Sequence, residues 1–212
     1  MATQIERHVT VPVDGASLDG ELFLPPGATG LVTLATGSRV DRPRTETLAP
    51  ALRDRGLGTL AVDLLTDAEA RVPRAGFDVR LLTDRLSATV AWLRGREALA
   101  DRSLGYAGVD TAAAAALSAA ARRGDDADAV VSLSGRVDLA SGSLDAVRAA
   151  TLFVVGGADT QVLALNRDAY DRLDCEKAMR VVAGAGHLFE GEGELETVAD
   201  AAADWFADAL GP

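Results

Sequence analysis

The chain is poor in the residues from which metal and redox centres are built. Among 212 residues there are one cysteine, Cys175, and two histidines, His8 and His187, and no CxxC, HExxH or Cys/His cluster at ligand spacing occurs. Metal-dependent catalysis is therefore not expected. A lone cysteine forbids an internal disulfide, and its neighbours Asp174 and Glu176 disfavour a thiolate, so Cys175 reads as a packing residue in a reducing cytoplasm. Lysine is scarcer still: of 21 basic residues only Lys177 is a lysine. Against them stand 32 acidic residues, for a net charge of −11. That balance argues against a nucleic-acid backbone or an anionic membrane surface as partner. No run reaches the roughly 18 apolar residues of a membrane span, and Met1 to Val13 has neither the basic region nor the long apolar region of a signal peptide. The expectation is a soluble, cytoplasmic protein whose partner is a small-molecule substrate. The alanine, arginine and aspartate bias fits a GC-rich genome and, equally, the acidic surface of a salt-loving organism; composition does not separate the two.

What is present is apolar material in a regular order. At 48% apolar residues the chain is expected to form one domain spanning 1–212. Apolar runs of strand length alternate with helical patterns, the signature of parallel βαβ units. The opening differs, because Arg7 to Val13 and Ser17 to Leu24 read as an antiparallel hairpin around Asp14-Gly15. Strands are then expected at Leu31 to Ala35, Thr59 to Asp63, Leu104 to Gly108, Ala129 to Leu133, Thr151 to Val155 and Met179 to Val182. Helices are expected at Arg44 to Arg55, with Pro43 before its first turn and Gly56 at its stop, and at Asp78 to Arg96, where Leu82, Leu86, Val90 and Leu93 share a face. Further helices are expected at Thr111 to Arg123, ending before Gly124, at Asn166 to Leu173, and at Glu194 to Leu210, which points Val198, Ala202 and Trp205 inward. Leu65 to Gly76, with Pro73, reads as a mobile loop too short to be a cap domain.

In open α/β sheets, sites form where strands end at their carboxyl side. There the sequence delivers Thr36-Gly37-Ser38-Arg39, then Asp110, then Gly156-Gly157-Ala158-Asp159, then Gly184-Ala185-Gly186-His187. The order of nucleophile position, acid and histidine is the one α/β-hydrolases use. With Gly105 to Leu117 at a strand-turn-helix, Phe77-Asp78-Val79-Arg80-Leu81-Leu82, Leu165-Asn166-Arg167, Cys175-Glu176-Lys177 and Gly186-His187-Leu188-Phe189-Glu190, the chain resembles the dienelactone-hydrolase-like branch of the α/β-hydrolases from about Val11 to Leu210. The resemblance implies a mostly parallel sheet with an antiparallel N-terminal hairpin and helices on both faces; no segment is long enough to encode a cap domain, and no cofactor is expected, because the glycine-rich turn at Gly105 to Ala112 is not a GxGxxG fingerprint. It also implies a GxSxG elbow and a His-Gly-Ser-Gly oxyanion loop. Here Gly108-Val109-Asp110-Thr111-Ala112 puts aspartate where the serine belongs, and Thr36-Gly37-Ser38-Arg39 replaces the loop.

Each candidate has a plainer reading beside it. His187 reads as catalytic rather than an ordinary surface histidine, given its motif. Asp159 reads as the partner of that histidine or as a helix cap. Asp110 reads as a nucleophile or as the cap of the alanine helix. Arg39 reads as an anion clamp or a solvated charge, and Arg42 as a solvated charge. Three functions stay open on these residues. In the first, Asp110 attacks an sp3 carbon of a small ester, lactone, halide or epoxide, His187 activates water against the resulting ester, and Asp159 orients the imidazole. In the second, the fold binds a small molecule without turnover, with Asp110 paired to His187. In the third, Asp110 and His187 polarise water directly while the backbone amides of Thr111 and Ser38 form an oxyanion hole.

Overall fold

The computed structural model describes residues 5–72, 74–122 and 127–211, with the backbone but not the side chain of Arg39. An eight-stranded sheet runs through the molecule in the order β1-β2-β4-β3-β5-β6-β7-β8. Strands β1 (Ile5–Val13) and β2 (Ala16–Leu24) form the expected hairpin, in register from Ile5 opposite Leu24 to Val13 opposite Ala16. Its two-residue turn works because Gly15 takes φ 70°, which a residue with a Cβ adopts at a cost. Strand β2 joins β4 (Gly58–Asp63) antiparallel, and every later pairing is parallel.

The middle of the sheet is covered on both faces, so its strands are continuous apolar runs rather than alternating ones. Strands β3 (Gly30–Thr36) and β6 (Ala129–Leu133) are buried at every position, and β5 (Ser103–Val109) at all but its first. Strand β7 (Ala150–Gly156) continues the sheet, and β8 (Lys177–Val182), at the edge, is half exposed. Helices α1 (Arg42–Asp54) and α5 (Glu194–Leu210) pack together on one face, while α2 (Val79–Arg94) and α3 (Thr111–Arg122) pack on the other. Arg55 ties the first pair at their rim, donating to Asp204 at 2.6 Å and Asp200 at 3.1 Å.

Composition explains how closely these helices approach. In α3 all the residues from Thr111 to Ala120 are buried, and a helix with only methyl groups on most faces fits between the sheet, α2 and the loop after β6. Helix α1 stops at Gly56, φ 78°, where Gly56 N–H donates to Arg53 and Leu57 N–H to Leu52, the paired bonds of a Schellman motif. Asp78 caps α2 by accepting from Leu81 N–H at 3.0 Å.

The elements differ from expectation at a few ends. Helix α1 begins at Arg42, which places Pro43 inside its first turn, where proline lacks no needed hydrogen bond. Helix α4 runs Thr160–Arg172, six residues earlier than expected, because Asp159 caps it. In α5 the fully buried aromatic is Phe206, whereas Trp205 is half-buried and donates from Nε1 to the Ala150 carbonyl at 3.3 Å. The expected end of α3 at Arg123 and Gly124, and Pro73 of the loop, lie outside the described residues.

Candidate active site

Strand β3 has β4 on one side and β5 on the other, so the chain leaves β3 toward one half of the sheet and leaves β4 toward the other. The carboxyl ends of β3 and β5 therefore flank a crevice. It is a cleft of about 450 Å³, lined on one side by Gly37, Ser38 and Asp41 and on the other by Asp110 and Thr111. The third wall is the segment after β4, contributing Leu65, Ala70, Arg71, Val72, Arg74, Gly76 and Phe77. This is the stretch expected to be a mobile loop. Its described residues include two short 3-10 turns, Glu69–Arg71 and Ala75–Phe77. The buried guanidinium of Arg85 anchors it, donating to Glu69 at 2.6 Å and to the Leu64 carbonyl at 2.8 Å. Those hydrogen bonds from Arg85 hold the Glu69 carboxyl down at about 2. Gly76 lies so close to the Gly37 carbonyl, 2.9 Å from where a Cβ would stand, that loop and crevice wall are in direct contact.

Asp110 sits at the tip of the elbow. Its φ is 50°, in the left-handed region that aspartate tolerates better than most residues. Its N–H donates to Leu133, and its carbonyl receives the N–H groups of Ala113 and Arg136 at 3.1 Å each. The turn is tight because β5 runs directly under α3: a Cβ on Gly108 would stand 2.5 Å from the Ala113 Cα. The alanine at 112 is accommodated, fully buried, so only the first glycine of the elbow is sterically required. Among the described residues the Asp110 carboxylate takes no hydrogen bond. The capping reading therefore gains no support, and the carboxylate faces the cleft. All four non-glycine residues of positive φ among those described, Arg74, Asp110, Ser134 and Phe189, lie on loops at this end of the sheet, where backbone strain concentrates at working sites.

Asp159 and His187 meet on the neighbouring loops. Gly157 N–H donates to the Val182 carbonyl and Ala158 N–H to Ala185, which locks the loop after β7 to the loop after β8. Gly156 allows this approach, since a Cβ there would stand 2.5 Å from the Ala185 oxygen. His187 Nδ1 is then 2.7 Å from Asp159 Oδ2, while Asp159 Oδ1 accepts from Val162 N–H at 3.2 Å. The two readings of Asp159 are thus both true, one oxygen each. With Nδ1 as the donor, Nε2 is left as the basic nitrogen. The imidazole is about one-third exposed, and neither it nor Asp159 belongs to the cleft lining.

Between the cleft and that pair lies a buried ion pair that the sequence reading missed. Arg44 Nη2 donates to Asp41 Oδ1 at 2.5 Å, and Arg44 Nη1 reaches the His187 carbonyl at 3.4 Å. Both side chains are almost fully enclosed, at 3% and 6% exposure. Burial pushes the Asp41 carboxyl up to about 6; Arg44 opposes that shift, Asp110 adds to it and His187 opposes it. Burial likewise lowers the Arg44 guanidinium from its ordinary value. The signal available in the sequence was spacing: Arg44, Leu48 and Leu52 recur every four residues on the inner face of α1. Of the other candidates, Ser38 lines the cleft, its Oγ accepting from Val40 N–H at 3.2 Å. Thr111 lines it too, and its N–H opens α3 without a partner inside that helix. The Arg39 side chain, expected as an anion contact, lies outside the described residues. Arg42 turns away and pairs with Asp63.

No protein-family model matches the chain. A dienelactone hydrolase from Anabaena variabilis is 41% identical, with a TM-score of 0.93 over 98% of this chain and 99% of that one. A lidless α/β serine hydrolase from Xanthomonas campestris shares the fold at 19% identity and a TM-score of 0.76, over 98% of this chain and 96% of that one. Two Mycobacterium tuberculosis proteins, of strains CDC 1551 / Oshkosh and ATCC 25618 / H37Rv, are each 42% identical over 97% of this chain, and each is named "Putative phosphoribosyl transferase". The chain spans about half the length of those relatives, 47% in each case.

Proposed function

The chain belongs to the dienelactone-hydrolase family of the α/β-hydrolases, and from that premise we propose that it is a hydrolase of small substrates whose nucleophile is Asp110. The observation that carries this reading is the elbow carboxylate, held at φ 50° over a 450 Å³ cleft with no hydrogen bond among the described residues to occupy it. A carboxylate in that position attacks an sp3 carbon and forms an alkyl ester. His187, with Nδ1 held by Asp159, takes a proton from water at Nε2 so that hydroxide attacks the ester carbonyl. Ser38 and Thr111 present backbone amides to the oxygen that becomes charged in that step. Arg71 and Arg74 on the third wall favour a substrate carrying an anionic group.

The transferase name of the mycobacterial relatives is assigned here to the half that this chain does not share. Support comes from the end-to-end match to a hydrolase, set against a 47% match to those proteins.

The test is isotopic. After multiple turnovers in heavy-oxygen water, with esters, lactones, epoxides and haloacids as substrates, the peptide containing Asp110 should carry the label. Turnover that leaves this peptide unlabelled removes the nucleophile role. Tight ligand retention with no turnover across the panel would instead make the site a binding fold.

A further inference from the structure

Asp41 has no task in the reading above, yet it lines the same cleft as Asp110 and Thr111. Its place is fixed from below, because Oδ1 is held by the enclosed guanidinium of Arg44 at the start of α1. Its other oxygen takes no hydrogen bond from any described residue. Three ionisable groups face it: Arg44 from α1, Asp110 from the elbow and His187 from the loop after β8. Burial and the Asp110 carboxylate both favour the protonated acid, and together they outweigh Arg44 and His187, leaving the group near 6. A carboxyl titrating there is a usable proton donor near neutral pH.

We propose that Asp41 is the acid partner of Asp110, and that the substrate class of this site is the epoxide, whose breaking bond leaves a basic oxygen. This rests on the reading of Asp110 as nucleophile. The two alternatives fit the cleft less well. A departing halide needs N–H donors around it, and here it would emerge beside a second carboxyl. Attack on an ester or lactone carbonyl would give an anhydride, which stores rather than releases the energy of the bond broken. An oxirane carbon offers ring strain, and its oxygen needs the proton that Asp41 carries.

The proton count closes. An Asp110 oxygen bonds to the oxirane carbon, the carbon–oxygen bond breaks, and the freed alkoxide takes the Asp41 proton. His187 then removes one proton from water, and the hydroxide adds to the Asp110 ester carbonyl. Collapse of the adduct expels the second alkoxide, which takes the proton from His187. Asp110 is left as the acid and returns its proton to Asp41. The sum is epoxide plus water to vicinal diol.

The experiment follows the first step alone in the full chain carrying His187→Ala, where the Asp110 ester accumulates and is quantified by mass spectrometry of its peptide. Styrene oxide and 2-phenylethyl bromide serve as probes. Adding Asp41→Asn should slow alkylation by the epoxide about 100-fold or more and leave alkylation by the bromide within about threefold. Equal slowing of both, or of neither, overturns the role of Asp41 while Asp110 stands as nucleophile. No ester from either probe overturns the nucleophile reading itself. Should Asp41→Asn fail to fold, the pH profile with Asp41 intact decides: because Ala at 187 removes a group that lowers the Asp41 carboxyl, epoxide alkylation should fall toward tenfold per unit above a break at or above pH 6, with the bromide rate level, and an epoxide profile as level as that of the bromide between pH 5 and 10 refutes the proposal.

Discussion

Phe206 and Gly105 offer a quantitative test of how the elbow strand is seated. Phe206 of α5 is fully buried and lies against the bare Cα of Gly105 on β5, where an added Cβ would stand 2.5 Å from the ring Cε1 and 2.6 Å from Cδ1. Removing the ring by Phe206→Ala leaves a cavity in the packing under β5 and should cost about 3–5 kcal/mol. For a chain of 212 residues each kcal/mol shifts the melting temperature by about 2–4 °C, so the fall should be roughly 6–20 °C. Gly105→Ala alone forces ring and strand apart and should cost about 1–3 kcal/mol. In the Phe206→Ala background the same methyl enters vacated space and also restricts the unfolded chain, so its effect should be near zero or favourable. The predicted coupling is therefore about 1–3 kcal/mol, measured as urea midpoints of the four proteins in a double-mutant cycle. Additivity within about 0.5 kcal/mol would refute the claim that this ring dictates glycine at 105.

Three further outcomes follow from contacts already described. Asp78→Ala removes the cap on α2 and should lower stability by about 0.5–2 kcal/mol in urea unfolding, with Asp78→Asn close to the parent. Glu69 is held at about 2 by Arg85, so its contribution is present above its ordinary value of 4.5 and is lost as pH falls toward 2; Glu69→Gln should be less stable than the parent at pH 7, and the gap should close on acidification, as read from urea midpoints at each pH. Asp159→Asn keeps an oxygen for Val162 N–H but loses the charge on His187. It should unfold at nearly the parent's midpoint while release of the Asp110 ester slows by about 100-fold or more in single-turnover kinetics.

Much of this architecture is written in local pattern. The hairpin follows from alternation around Asp14-Gly15, and the central strands from unbroken apolar runs that only a doubly covered sheet tolerates. The positions of Asp110, Asp159 and His187 follow because each lies in the segment leaving the carboxyl end of a strand, and those ends converge on one edge. What local pattern does not carry is tertiary burial. Arg39, Asp41, Arg42 and Arg44 look alike as a charged loop, yet Asp41 and Arg44 are enclosed while Arg42 is half exposed. Their fate depends on which side of α1 faces the sheet. The start of helix α4 is hidden from local pattern for a related reason: Thr160 to Leu165 is a weak helix in isolation, and its first turn exists because Asp159 caps it while also holding His187.

At the elbow the shape of the turn and the chemistry of residue 110 are set by different groups. The left-handed turn at residue 110 is imposed by Gly108 beneath α3 and by main-chain bonds to Leu133, Ala113 and Arg136. None of these main-chain constraints involves the carboxylate, which takes no hydrogen bond from a described residue. Its charge is felt instead by Asp41, Arg44 and Arg136. Asparagine, which tolerates the left-handed region as aspartate does, should therefore leave the turn in place, whereas serine meets a backbone cost there. The chemical burden of either exchange falls on the groups around it, which must supply or remove protons for the new reaction.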